Sequence, residues 1–172
     1  MWQVTLIVAA ITAIVAVVAL LVTQESAAEK QAKASAKAAE EMSEAAEEAA
    51  QSLEDIKAAF DAYDTAVAKL EECTKGTEEW NEALAEVNKT VLKILQDVPE
   101  LAANANLFVR DLETGMLKIN EAERENVLKA AETHANMTAA MSVVANAQSK
   151  KANVNLMRDD MGKSLGHSRA VG

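Results

Sequence analysis

Nineteen consecutive residues, Val4 to Val22, contain no charge, Gly or Pro. A helix of that length is roughly 28 Å long, close to the roughly 30 Å of a bilayer's hydrocarbon core. Leu6, Ile7, Ile11, Ile14, Val18 and Leu21 supply its bulk. Thr5 and Thr12 are its only hydroxyls, and each can bond a carbonyl one turn back. Trp2 stands at the edge, where an indole suits the headgroup layer. The run therefore predicts an N-terminal transmembrane helix, residues 1–24, partnered by the lipid bilayer. No Lys or Arg precedes it and it is long for a signal peptide, although Ser26-Ala27-Ala28 leaves cleavage as the alternative. Lys30, Lys33 and Lys37 follow the run, which by the positive-inside rule places the carboxyl side in the cytoplasm.

The remainder is polar and helical in pattern. Aromatics make up only 3% of the chain, too few for a large mixed core, so long helices packed through Ala, Leu and Val are expected. The net charge of −10 excludes a general nucleic-acid binder, which needs clustered Lys and Arg. Charge is uneven: Glu25 to Gln148 holds 12 basic and 25 acidic residues, whereas Ser149 onward holds five basic and two acidic. That basic end is either solvated or a contact for an acidic partner.

From Gln24 to Lys75 there is no Gly or Pro, and Ala, Glu and Lys dominate. Met42, Ala46, Ala49, Leu53, Ile56, Phe60, Tyr63, Val67 and Leu70 alternate at steps of four and three, which is a coiled-coil seam. Ala39, Ser35, Ala32 and Ala28 continue it backward with small residues. This predicts a stalk helix over 25–76, ended by Gly76 in a left-handed cap, with Cys73 as a small buried residue. Thr77 is an N-cap candidate for a second helix, which carries Trp80, Leu84, Val87, Val91, Ile94 and Val98 as its stripe until Pro99 stops it. Two matched seams joined by a short turn predict an antiparallel helical hairpin.

Residues 100–106 read as one helical turn or a loop. Leu107–Arg110 and Met116–Ile119 then flank Asp111-Leu112-Glu113-Thr114-Gly115, which predicts a small β-hairpin within the second segment, 77–120. Such a hairpin is marginal in water and must lean on the helices. Asn120 with Glu123 reads as a capping box for a third helix, part of the segment 121–172. Val127, Ala130, His134, Met137, Met141 and Val144 form its apolar face, and Gly162 its end. The fold class is thus mainly α: a transmembrane helix, a long coiled-coil and helical-hairpin bundle, and a β-hairpin insertion.

Catalytic chemistry finds no foothold. Gly162-Lys163-Ser164 resembles the end of a phosphate loop, but the loop's first Gly would fall at Met157 and no strand precedes it. His134 and His167 are uncoupled, one Cys cannot form an intrachain disulfide, and the paired glutamates face water. Asn88-Lys89-Thr90 and Asn136-Met137-Thr138 match the glycosylation triplet but lie in predicted helices. No enzyme, metal or cofactor is expected.

Ala59-Phe60-Asp61-Ala62-Tyr63-Asp64, the run Lys69–Leu84 and Val87-Asn88 resemble segments of phage tail tape-measure proteins and related coiled-coil proteins of mobile elements. Leu112–Ile119 is similar to the next segment of those proteins. The resemblance spans about residues 50–130. It implies a long helical protein of a phage virion whose apolar segments enter host membrane, with this chain a fragment, a split gene or a repurposed module. Residues and resemblance together lead to a membrane-anchored structural or interaction protein. Its helix seams would bind a protein partner or a second copy, through Met42, Leu53, Ile56, Phe60, Tyr63, Val67, Leu70, Trp80, Leu84, Val87 and Val91. The alternative is a single-pass sensor or adaptor with a helical signalling stalk.

Overall fold

The computed structural model describes residues 28–169; the expected transmembrane segment lies outside them. Among the described residues no helix is long and apolar enough to cross a membrane. The described residues are mainly helical with one small antiparallel sheet. The element order is α1 (Ala28–Glu71), α2 (Glu78–Asp97), α3 (Pro99–Ala102), β1 (Phe108–Arg110), β2 (Leu117–Ile119) and α4 (Glu121–Arg169). The chain divides into two compact units, one of Ala50–Thr133 and one built from the outer stretches up to Ala49 and from His134 onward.

In the unit of Ala50–Thr133, α1 contributes Ile56, Phe60, Tyr63 and Leu70, all buried at the expected four–three spacing, while Leu53 and Val67 are half-buried. α2 begins and ends where Thr77 and Pro99 predict. The Thr77 hydroxyl accepts from the Trp80 N–H (3.2 Å), and Pro99 opens the single turn α3, where its missing N–H costs nothing. Val87 and Val91 are fully enclosed, while Trp80 and Leu84 are half-buried. Leu101 and Leu107, on either side of the loop after α3, complete this core.

α1 stops at Glu71, five residues short of Gly76. Glu71 and Glu72 place two carboxylates at the negative end of the helix dipole, and the Cys73 N–H bonds Leu70 three residues back, tightening the last turn. Cys73 is accordingly not a buried seam residue. It is half-exposed, and its thiol donates to the Lys69 carbonyl (3.3 Å). Gly76, at φ +90°, is instead the third residue of a turn closed by the Thr77 N–H on the Thr74 carbonyl (3.2 Å), a position that needs a left-handed residue.

α4 departs from its sequence reading in three places. The Asn120–Glu123 box does not form: the Asn120 N–H goes to the Leu107 carbonyl (2.8 Å), and Glu123 Oε2 accepts from Asn104 Nδ2 (2.9 Å). The helix runs past Gly162 to Arg169. Its buried face also follows small residues, Ala131, Thr138 and Ala145, rather than Met137 and Val144, which are exposed.

The other unit explains that shift. Its two helical segments run antiparallel, as the meeting of Ala39 and Met42 of α1 with Ala145 and Met141 of α4 requires. Ala39 and Met42 pack on Ala145, with Ala45 and Met141 against them. Ala32 and Ala49 are buried on the same face of α1. Helices that meet through methyl groups come close together, and only small side chains fit between them. Thr138 fits because its hydroxyl is spent on the His134 and Ala135 carbonyls (both 3.0 Å).

Packing of this kind predicts that Ala145→Leu destabilises the protein by about 1–3 kcal/mol through overpacking. Val144→Leu, one residue away on the exposed face, should change stability by no more than about 0.5 kcal/mol. Urea denaturation of the two variants checks it, and the reverse order would restore the larger-residue face.

Candidate functional site

The most built feature among the described residues is the β-hairpin and the side chains that hold it. Phe108 pairs with Ile119, Val109 with Lys118 and Arg110 with Leu117. In this register residues 107, 109 and 111 exchange bonds with β2, as the Asn120-to-Leu107 and Asp111-to-Met116 bonds (both 2.8 Å) show. The N–H and C=O groups of Leu117 and Ile119 therefore point outward, along an edge that three strand residues cannot leave unpaired if it is to be buried.

Two helix side chains act as the missing strand. Tyr63 of α1 places its hydroxyl between two of these groups, donating to the Leu117 carbonyl (3.2 Å) and accepting from the Ile119 N–H (3.0 Å). Asn88 of α2 does the same one position on: its carbonyl oxygen accepts from the Leu117 N–H (2.8 Å) and its amide donates to the Gly115 carbonyl (3.2 Å). Burial pushes the Tyr63 phenol above its ordinary pKa, with the Ile119 N–H opposing. It is a neutral donor throughout the physiological range. Its ring also meets Phe108 at 5.8 Å between centroids, tilted by 58°.

The hairpin tip is organised by Asp111. One carboxylate oxygen accepts from the Glu113 N–H (3.0 Å), the Thr114 N–H (2.9 Å) and the Thr114 hydroxyl (3.1 Å), while the other pairs with Lys118 across the strands. Lys118 first, then these donors, hold the Asp111 carboxyl well below the usual carboxylate range. Lys75 bonds Glu113 (2.8 Å), tying the tip to the turn after α1 and lowering the Glu113 pKa. Gly115 takes φ +74°, which the turn requires. At the other end of the hairpin Arg124 grips Asp64 through both nitrogens (2.9 and 2.6 Å) and lies over the Phe60 ring at 5.1 Å.

Beside the exposed Arg110, Glu113 and Lys118, three apolar side chains also face outward: Leu112 at the tip is 96% exposed, and Val109 on β1 and Leu92 on α2 are exposed. Among the described residues no group of three or more His, Cys, Asp or Glu could hold a metal ion. Asn88 in the first glycosylation triplet is committed to the hairpin, and Thr138 in the second is buried with its hydroxyl satisfied.

Of the seam residues expected to meet a partner, Met42, Ile56, Phe60, Tyr63, Leu70, Val87 and Val91 are buried within the single chain, and Leu53, Val67, Trp80 and Leu84 are half-buried. The membrane residues Trp2, Leu6, Ile7, Ile11, Ile14, Val18 and Leu21 lie outside the described residues. Sequence reasoning missed Asn88 and Asp111 as hairpin determinants and took Tyr63 for a seam residue only. No family model, curated protein or solved structure matches this chain.

Tyr63→Phe keeps the ring but leaves the Ile119 N–H and Leu117 carbonyl unpaired, and should cost about 1–3 kcal/mol. Amide exchange at Ile119 reads it directly, with faster exchange expected there than in α2. A group whose folded pKa is lowered stabilises the fold above its unfolded pKa, and that contribution is lost as pH falls through the folded value. Hairpin opening, read from amide exchange corrected for the intrinsic pH dependence of the exchange rate, should therefore be flat from neutral pH down to about 4, the unfolded Asp value, and rise only below it. Asp111→Asn should bring that rise to every pH.

Proposed function

We propose that this chain is a membrane-anchored structural or interaction protein, with a helical body and a braced β-hairpin. The observation that carries the reading is the uncharged run Val4–Val22, followed within a few residues by polar helix. The described helices support it by contrast. None of them is long and apolar enough to cross a membrane, so the run is the feature that would anchor this protein in lipid.

Our reading gives the interaction role to a surface other than the seam. The long seam no longer needs a partner to cover it, because its residues are buried or half-buried in one copy. The outward apolar side chains of the hairpin unit, Leu112, Val109 and Leu92, are the surface this reading assigns to a partner. A derivation from a tape-measure type of protein is the finer form of the proposal. It is supported by the match in extent between the resembling residues, about 50–130, and the compact unit Ala50–Thr133.

Flotation of the full-length protein on phosphatidylcholine vesicles tests the anchor. The wild type should rise with the lipid and stay with it through a high-salt wash. Ile11→Lys with Ile14→Lys should remain at the bottom, since each charge at a helix centre costs about 2.5–3.5 kcal/mol of insertion. A wild type that stays soluble and singly dispersed without lipid or detergent would end the proposal.

A further inference from the structure

The second half of α4 bears a face opposite to the one that meets α1. At 3.6 residues per turn, Lys150, Val154, Met157 and Met161 fall on one side, Lys151 and Arg158 border it, and Ala145 looks the other way. Val154 is 53% exposed, Met157 65% and Met161 60%, and the three cations are exposed as well. Ser149 to Arg158 holds three basic residues and no acidic one; Asp159 and Asp160 come next in the chain. The pattern is the inverse of α1 in the same unit, where Glu40, Glu41, Glu44, Glu47 and Glu48 follow one another without a base.

Register gives this face a neighbour. α1 and α4 are antiparallel in this unit, and Ala39 and Met42 meet Met141 and Ala145, so each step toward the start of α1 is a step toward the end of α4. Val154 therefore lies level with the first turn of α1, and Met157 and Met161 follow it along α4. Ala28 is six residues from Val22, at most about 20 Å of chain even when fully extended. Electrostatic attraction to a surface fades over about 8–10 Å, so cations matter to a membrane only when held near it. Here the helix pairing holds Lys150 and Lys151 beside the first two turns of α1, the turns nearest in sequence to the apolar run Val4–Val22.

We propose that this face of α4 docks on an anionic bilayer surface, with Val154, Met157 and Met161 entering the boundary between headgroups and acyl chains. Lys150, Lys151 and Arg158 pair with lipid phosphates beside them. Basic residues flanking an apolar stripe are the composition of interfacial helices. An acidic protein groove would meet the same chemistry, but the short stretch of chain between Ala28 and Val22 favours lipid. The proposal rests on the anchor reading.

The test uses full-length protein carrying Cys73→Ser and Met157→Cys, labelled at position 157 with an environment-sensitive fluorophore. It is mixed with vesicles of phosphatidylcholine alone or of phosphatidylcholine with phosphatidylglycerol. The protein should float with both, and the label should shift to the blue only on the anionic vesicles. That shift should vanish in high salt and in K150E/K151E/R158E, whose circular dichroism stays that of the parent because the three side chains are exposed. Flotation without a blue shift overturns this proposal, leaves the anchor standing and points to a protein partner. An equal shift on both vesicle types overturns the role of the cations. Failure to float at all removes the anchor reading and, with it, this one.

Discussion

Two long helices of one chain can lie side by side only if each offers the other a face that is apolar without being bulky. In the unit built from the outer stretches that face is made of methyl groups: Ala32, Ala39 and Ala49 on α1, and Ala145 with the satisfied Thr138 on α4. Ala gives little burial per residue, roughly one methyl each, so the pairing depends on many close contacts and not on a few large ones. Met42 and Met141 supply flexible filling where methyl groups leave gaps. A larger residue on this face would push the helices apart along its whole length.

The unit of Ala50–Thr133 solves a different problem by different means. Its core is made of large side chains, Ile56, Phe60, Leu101, Leu107, Val87, Val91 and Val127. Against it lies a sheet too small to stand alone, and the backbone groups of its second strand are met by a phenol and an amide from two helices. Such bonds add modest stability when made and are expensive when missing, so they fix where the hairpin sits more than how tightly it folds. Arg124, ion-paired to Asp64 and stacked on Phe60, fastens the start of α4 to α1 at the same level.

Much of this was legible in the residue order. The α1 seam from Met42 to Leu70 is marked by large side chains at strict spacing, and none of its members is exposed. Thr77 and Pro99 bracket α2 through their own local chemistry, and Gly115 marks the hairpin turn. The face of α4 was misplaced because hydropathy weights Met137 and Val144 above Ala145 and Thr138, whereas close packing selects by size. Asn120 and Glu123 have the capping pattern, yet tertiary partners, Leu107 and Asn104, took both groups. Tyr63 and Asn88 act on backbone 27 to 56 residues away, a distance over which no local signal exists.

The central structural claim is that the α1–α4 seam closes within one copy of the chain. Its most direct measurement is oxidation of the triple variant Ala39→Cys, Ala145→Cys, Cys73→Ser at low concentration, followed by non-reducing electrophoresis. A seam closed within one chain gives a fast, concentration-independent intrachain crosslink that runs as a monomer. Crosslinked dimers as the main product, increasing with protein concentration, would show that the seam belongs to two chains and would contradict it.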